Sequence, residues 1–287
     1  MEITIDDSTA RKRADVVLAD AFTSYSRAAL SKLFDMQLVW IDGKPAKGGD
    51  KLKVGQVFKA DLSPLEQEPE VIELPVLFEN EDVIVVNKPA GIISHARGRY
   101  WQEASVASFI RDKTKGMTGE RAGIVHRLDR ATSGVMIAAK NQKAQSYLQK
   151  QFADKKVSKK YVALVVGTPE PPEAHIVASL LRNPKIPQQF KVDQAGKHAE
   201  TMYKVEHTNG AVSKVLLTPL TGRTHQLRIH MQYIGHSIVG DHLYGSEEGE
   251  DRLYLHAHTL QIRVPSGELH TFEAPLPDEF EVRLKRG

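Results

Sequence analysis

Hydrophobic and polar positions follow two different periods along this chain. Behind Ser26, a residue able to accept from the first helical amides, RAALSKLFDM puts Ala29, Leu33 and Met36 at helical spacing. LVWIDGKPA then alternates as a strand into the Asp42-Gly43 turn, and KLKVGQVFKADL adds a second short strand. DLSPLEQEPEVIELPVLFENED is rich in acids and proline and reads as an extended connection. Beyond it, EDVIVVNKPAG is an apolar strand over Val83 to Val86 that ends in a Pro-Gly turn, and SVASFIRDKT is a short helix. GVMIAA after Gly134, KKYVALVVG and SKVLLTPL are further strands. Asn141 caps QKAQSYLQKQFADK, with Ala144, Leu148 and Phe152 on one face. Thr224 is placed to cap HQLRIHMQYIG, whose Leu227, Met231 and Ile234 point inward, with Gly235 just past its end. Strands and helices mix without a βαβ alternation, so an α+β domain is expected, not a doubly wound sheet.

Charge sharpens the division. A basic block carries Arg11, Lys12, Arg13, Arg27, Lys32, Lys44, Lys47, Lys51 and Lys53, and the acidic connection follows it. The expected organisation is a small basic domain over 10–62, a linker over 63–74 and a larger domain over 75–287. The net charge of +3 over 287 residues is mild, so distribution matters more than sum. The absence of cysteine excludes disulfides, thiolate metal sites and thiol catalysis. No segment has the length and apolarity of a bilayer-spanning helix, and a cytoplasmic protein with no membrane partner is expected.

Candidate chemistry concentrates in IVHRLDRATSGVMIAAK, where Asp129 stands among His126, Arg127 and Arg130 in a loop that enters an uninterrupted apolar strand. An exposed ion-pair cluster would be the plain reading, since such pairs contribute only about 0–1 kcal/mol and are common. The rim of a rigid strand is, however, where a carboxylate can be held ready as nucleophile or base. IISHARGRYWQE interleaves His95, Arg97 and Arg99 with Tyr100 and Trp101, a composition suited to phosphate contact and base stacking. KKVSKK, Lys155 to Lys160, could touch phosphate or simply be a solvated helix end. His225, His230, His236, His242, His256 and His258 fall late in the chain, but His225 and His230 do not share a helix face and no ligand set for zinc emerges. No phosphate-cradling glycine loop is present, and no cofactor or metal is expected.

Two resemblances follow from these residues. The basic block resembles an S4 RNA-binding domain through Arg13 to Asp15, Ser26-Arg27, the Asp42-Gly43-Lys44 turn and Lys53 to Gly55; Asp42 and Gln56 depart from that family's usual residues. His126 to Gly134, HRLDRATSG, resembles the catalytic motif of RluA-type pseudouridine synthases, with Ala131 at its variable position. NKPAGIISH, KKYVALVVG, and GRTHQLRIH with GHSIVGDHLYG resemble three more motifs of that family, in its order.

The second resemblance implies a pseudouridine synthase fold, mixed and largely antiparallel, that isomerises specific uridines in structured RNA, large-subunit ribosomal RNA foremost. Asp129 would act at the ribose of a flipped uridine, by covalent addition or by removing a ribose proton. Arg228 would pair with Asp129 and keep it charged, and Tyr161 would wall the base. The implied RNA contacts are Arg13, Arg27, Lys32 and Lys44 in the first block, and Arg97, Arg99, His126, Arg127, Arg130, Arg223 and His225 in the second. The implied partner is ribosomal RNA or a ribosomal assembly particle, met by a monomer. The rival readings are a non-catalytic RNA-binding or ribosome-assembly protein, and a glycosidase that would release free uracil.

Overall fold

The computed structural model describes residues 2–67, 70–96, 103–119, 121–245 and 250–286. Contacts divide the chain into two compact units, Met1–Glu70 with Ala96–Ala104, and Val71–His95 with Ser105–Gly287.

In the first unit, strands β1 (Glu2–Thr4), β2 (Val39–Ile41), β3 (Lys44–Pro45) and β4 (Val57–Ala60) form an antiparallel sheet in the order β1-β4-β2-β3. Helices α1 (Ala14–Ala21) and α2 (Arg27–Asp35) pack together, and a turn of helix, α3 (Ser63–Glu66), closes the unit. Ser26 caps α2 by accepting from the Ala29 amide at 3.2 Å. Leu30, Leu33 and Phe34 bury, whereas Met36 lies past the last helical residue and is 49% exposed, because α2 ends before it can turn inward. The β2–β3 turn takes positive φ at both Asp42 (49°) and Gly43 (75°), the conformation that tight hairpins need. Asp42 accepts from the Gln56 side chain (2.9 Å) and the Val57 amide (2.8 Å), so the two residues that depart from the S4 pattern bond each other. The expected linker is not uniformly extended. Leu65 buries in the first unit's core, the Tyr25 hydroxyl donates to Glu66 at 3.1 Å, and Leu74 buries in the second unit's core.

The second unit is built on strands β5 (Val76–Glu79), β6 (Val83–Lys88), β7 (Ser133–Ala139), β8 (Ser158–Val166), β9 (Glu173–Val177), β12 (Glu200–Thr208), β13 (Val212–Pro219), β14 (Leu255–Arg263) and β15 (Leu269–Glu273). Between them in the chain, β10 (Leu180–Arg182) and β11 (Phe190–Val192) make a separate hairpin. Among the described residues the large sheet runs β5-β6-β7-β14-β8-β13-β12-β9, with β15 on β14. Among the described strand pairs β7–β14 is the parallel one, so the sheet is mixed and largely antiparallel. The helices are α4 (Val106–Ile110), α5 (Gln142–Ala153), α6 (Gln226–Tyr233) and α7 (Asp278–Arg286).

Every residue of β7 is buried, as its unbroken apolar run requires. Asn141 caps α5 by accepting from the Ala144 amide at 2.9 Å, and Ala144 and Leu148 bury against this core. Phe152 is half-buried, and Gln151 is the residue turned inward, bonding the Arg263 backbone through both ends of its amide. Gly134 is where β7 meets β14: its φ is +120°, and a Cβ there would stand 2.2 Å from the Ala257 carbonyl oxygen. Helix α6 begins behind His225, in left-handed conformation (φ 55°), and is not capped by Thr224. Gln226 instead secures the turn, its side-chain oxygen accepting from the Thr221 hydroxyl (2.7 Å) and the Arg223 amide (3.0 Å).

Candidate active site

Asp129 stands at the entrance to β7 in a loop tied down from the preceding motif. Ser94 Oγ donates to the Leu128 carbonyl at 2.8 Å and accepts from the Leu128 amide at 3.0 Å. The Gly91 amide donates to the Arg130 carbonyl at 2.8 Å. Lys88, at the end of β6, is fully buried and donates to the carbonyls of Pro89 (2.9 Å), Ile92 (2.7 Å) and Arg130 (3.3 Å). Burial pushes the Lys88 ammonium down to about 7, a shift the Asp129 charge opposes. The acid's neighbours on both sides are thus fixed by hydrogen bonds before any ligand arrives.

The Asp129 side chain opens into a cavity of about 770 Å³, within the range of small-molecule sites. Among the residues lining it, Asp129 is the one carboxylate, facing Arg127, Lys155, Lys156, Lys159, Arg223 and Arg228. Tyr161 also lines it, and register explains why: Tyr161 on β8 and Gly134 on β7 both pair with Ala257 of β14, which brings the tyrosine near the loop ending at β7. Burial, helped by the Asp129 charge, raises the Tyr161 phenol well above the ordinary tyrosine value, so it stays protonated at neutral pH.

Arg228, on the first turns of α6, reaches the same cavity but does not make the expected bond. Its Nε and Nη2 donate to the two carboxylate oxygens of Asp241 at 2.7 and 2.6 Å. Both residues are buried, and the parallel fork of a guanidinium on a carboxylate outcompetes a longer reach to Asp129. Asp241 also accepts from the amides of Leu243 and Tyr244, so the pair is anchored in the turn after Gly240. Arg228 stacks over Tyr244 at 5.0 Å, and the Tyr244 hydroxyl shares a 2.7 Å hydrogen bond with His225 Nδ1. His225 Nε2 lies 4.0 Å from Asp129 Oδ2, and burial lowers the proton affinity of the imidazole although the Asp129 charge opposes this.

Several expected RNA contacts therefore change meaning. His225 is half-buried and lines the cavity beside Asp129. His126 lines the wall, but its Nε2 accepts from the Ile137 amide at 3.1 Å and its ring stacks on Phe152 at 4.6 Å. Burial and the Lys159 charge push His126 down to about 3, so it is a neutral structural ring and not a cation for phosphate. Arg127 and Arg223 are exposed at the wall, Arg223 steadied by the His198 carbonyl at 3.1 Å. Arg130 is exposed outside that wall and donates to the Gly91 carbonyl. Arg13, Arg27, Lys32 and Lys44 are exposed on the first unit, where Arg13 forks onto Asp15 at 2.9 Å through two nitrogens. Arg97, Arg99, Tyr100 and Trp101 lie outside the described residues.

Lys88, Ser94, Asp241 and Tyr244 lie within the motif segments, but their residue types there do not announce a role. A lysine at the end of a strand that opens with four apolar residues is a readable hint of burial. An aspartate in GHSIVGDHLYG carries no hint of its distant partner.

A family model for RNA pseudouridylate synthases matches residues 82–233, more than half of the chain. The ribosomal large subunit pseudouridine synthase D of Nitrosomonas europaea is 32% identical over 99% of this chain and 87% of its own length. An uncharacterised RNA pseudouridine synthase of Aquifex aeolicus is 33% identical over 94% and 92%. Among solved structures, human RNA pseudouridylate synthase domain containing 1 superposes with a TM-score of 0.61 at 27% identity, over 77% of this chain and 98% of its own. The chain belongs to the RNA pseudouridylate synthase family, the isomerases that convert uridine in RNA to pseudouridine, and its second unit has their fold.

Proposed function

We propose that this enzyme isomerises specific uridines of large-subunit ribosomal RNA, with Asp129 acting at the ribose of a flipped uridine. The reading rests above all on one observation: a single carboxylate lines a cavity otherwise edged by cations, and shares it with Tyr161 and Arg228. Cleavage at an anomeric carbon calls for a carboxylate beside the sugar. Asp129 supplies it, either by adding to C1′ or by taking a ribose proton. Tyr161 walls the base as a neutral phenol. Arg228, gripped by Asp241, contributes positive charge and shape to the Asp129 side of the pocket. Extruding the uridine costs a few kcal/mol, which cations such as Arg127 and Arg223 offset at the backbone.

The choice of ribosomal RNA follows relatives named ribosomal large subunit pseudouridine synthase D. The first unit serves as an S4-like RNA tether, its exposed Arg27, Lys32 and Lys44 meeting phosphate. Tritium release from ribosomal RNA labelled at uracil C5 tests the whole. Release by the wild type, abolished in Asp129→Asn while RNA binding persists, is expected. No release from wild type, or free uracil among the products, overturns the proposal.

A further inference from the structure

Lys159 is a lysine that the mechanism above does not use and whose placement is unusual. It sits on β8 two positions before Tyr161, so the two side chains share a face and stand about 6.6 Å apart along the strand. Unlike its exposed neighbours Lys155 and Lys156, it is half-buried and lines the cavity. Its ammonium lies 3.8 Å from the position a Cβ would take on Gly222, against the backbone of the turn that precedes α6. On the other side its charge reaches His126. The ammonium therefore spans the recess between the Asp129 loop and the Gly222 turn.

Among the described residues nothing neutralises it. It makes no ion pair or side-chain hydrogen bond, and burial lowers its affinity for a proton with no carboxylate offsetting the effect. The Asp129 charge bears on Lys88, Tyr161, His225 and Arg228. Desolvating a cation without a counterion is costly and persists only where something compensates. With the ribose at Asp129 and the base against Tyr161, the group that meets Lys159 is the polar edge of the uracil ring. The exposed Arg127, Arg223, Lys155 and Lys156 are better placed for phosphate.

We infer that Lys159 is a catalytic group: its ammonium hydrogen-bonds a carbonyl oxygen, O2 or O4, of the target uracil and stabilises the negative charge the ring carries while detached from ribose. When the C1′–N1 bond breaks, its electron pair stays on N1 and spreads to O2 and O4. C1′ is meanwhile satisfied by an Asp129 oxygen or by the electrons of the C2′–H bond. The ring turns and C5 uses a ring electron pair to bond C1′. In the covalent route the Asp129 oxygen leaves C1′ with its bonding pair, and in the other route C2′ takes back its proton from Asp129. The C5 proton then departs to solvent and N1 gains a proton. Lys159 keeps its own protons throughout. A fixed donor aimed at charge that appears only during reaction lowers the barrier without tightening ground-state binding.

This rests on the uridine-isomerising reading, and the test separates the two. Full-length wild type, Lys159→Met, Lys159→Gln and Asp129→Asn are compared in single-turnover reactions on ribosomal RNA, with RNA affinity measured in parallel. A loss of about 10²-fold in the chemical step at saturating RNA, with Kd within threefold of wild type, is expected for both Lys159 variants. On RNA carrying 5-fluorouridine, whose base bears negative charge more readily, disappearance of the N1-linked nucleoside should show that deficit reduced about tenfold, because the substituent takes over part of what the lysine does. A weakened Kd with an unchanged chemical step would make Lys159 a phosphate contact and overturn the inference. An equal deficit on both RNAs overturns it too. Inactivity of wild type would overturn the underlying reading and this inference with it. Thermal unfolding of both variants identifies a folding defect, and the glutamine variant, which keeps length and polarity, then carries the comparison.

Discussion

Two aspartates in this protein illustrate how burial and pairing assign different work to the same side chain. Asp241 is buried and forked by Arg228, while Asp129 faces a cavity with the His225 imidazole at 4.0 Å. Replacing Asp241 with asparagine leaves a buried guanidinium without its counterion, a loss of about 3–5 kcal/mol. Asp241→Asn is therefore expected to lower the urea midpoint sharply along with activity. Asp129→Asn should abolish tritium release while shifting the unfolding free energy by less than about 0.5 kcal/mol, because no ion pair is broken. Equal stability losses in the two variants would contradict this division. The sequence showed both aspartates within recognisable motifs, yet it paired Arg228 with the wrong one. Which carboxylate wins depends on where a turn points after Gly240, and residue types alone do not contain that.

At the scale of elements, the site depends on the parallel junction of β7 and β14, which aligns the end of the Asp129 loop with Tyr161 across the shared partner Ala257. Gly134 makes that junction possible. Gly134→Ala would put a methyl group 2.2 Å from the Ala257 carbonyl oxygen in a backbone conformation an L-residue disfavours. The expected result is a destabilisation of about 3 kcal/mol or more in denaturant unfolding and a larger proportional loss of activity than of RNA affinity. Several elements were legible: the apolar runs of β7 and β8 and the Ser26 and Asn141 caps fold as their patterns imply. Helix α6 was legible in its body but not at its start, where a left-handed His225 and the Gln226 bonds replace the Thr224 cap. Turns governed by side chains from elsewhere are the least local feature of a chain.

Across the molecule, two properties can be measured without knowing the target uridine. His256 is fully buried, its Nδ1 bonded to Ser133 at 2.9 Å and its Nε2 to the Ala274 carbonyl at 3.2 Å, and burial pushes it down to about 4. Its folded value lies below the unfolded one, so the unfolded chain binds the proton first. Stability is full above about pH 6.5 and falls as pH drops towards 4, with His126 adding in the same direction. From pH 7 to pH 5 the His256 share is about 1–2 kcal/mol, and His256→Asn should flatten the dependence of Tm on pH in that window. A slope unchanged by the substitution would refute this origin. The first unit offers the second measurement. If its exposed cations hold phosphate, Arg27→Ala and Lys44→Ala each reduce the slope of log affinity against log salt by about 1 and leave the saturated chemical step intact.

Motif resemblance singled out Asp129, Tyr161 and Arg228, and the sequence by itself marked the strongly patterned strands and helices and the change from a basic block to an α+β region. These are matters of local pattern, because side-chain period, caps and turn residues act within a few positions of themselves. The tertiary structure alone decided who touches whom: Asp241 for Arg228, three carbonyls for Lys88, a neutral stacked ring for His126, and an uncompensated ammonium for Lys159. Charge and burial act over distances in space. Residues far apart in the chain become neighbours only after the sheet has chosen its register.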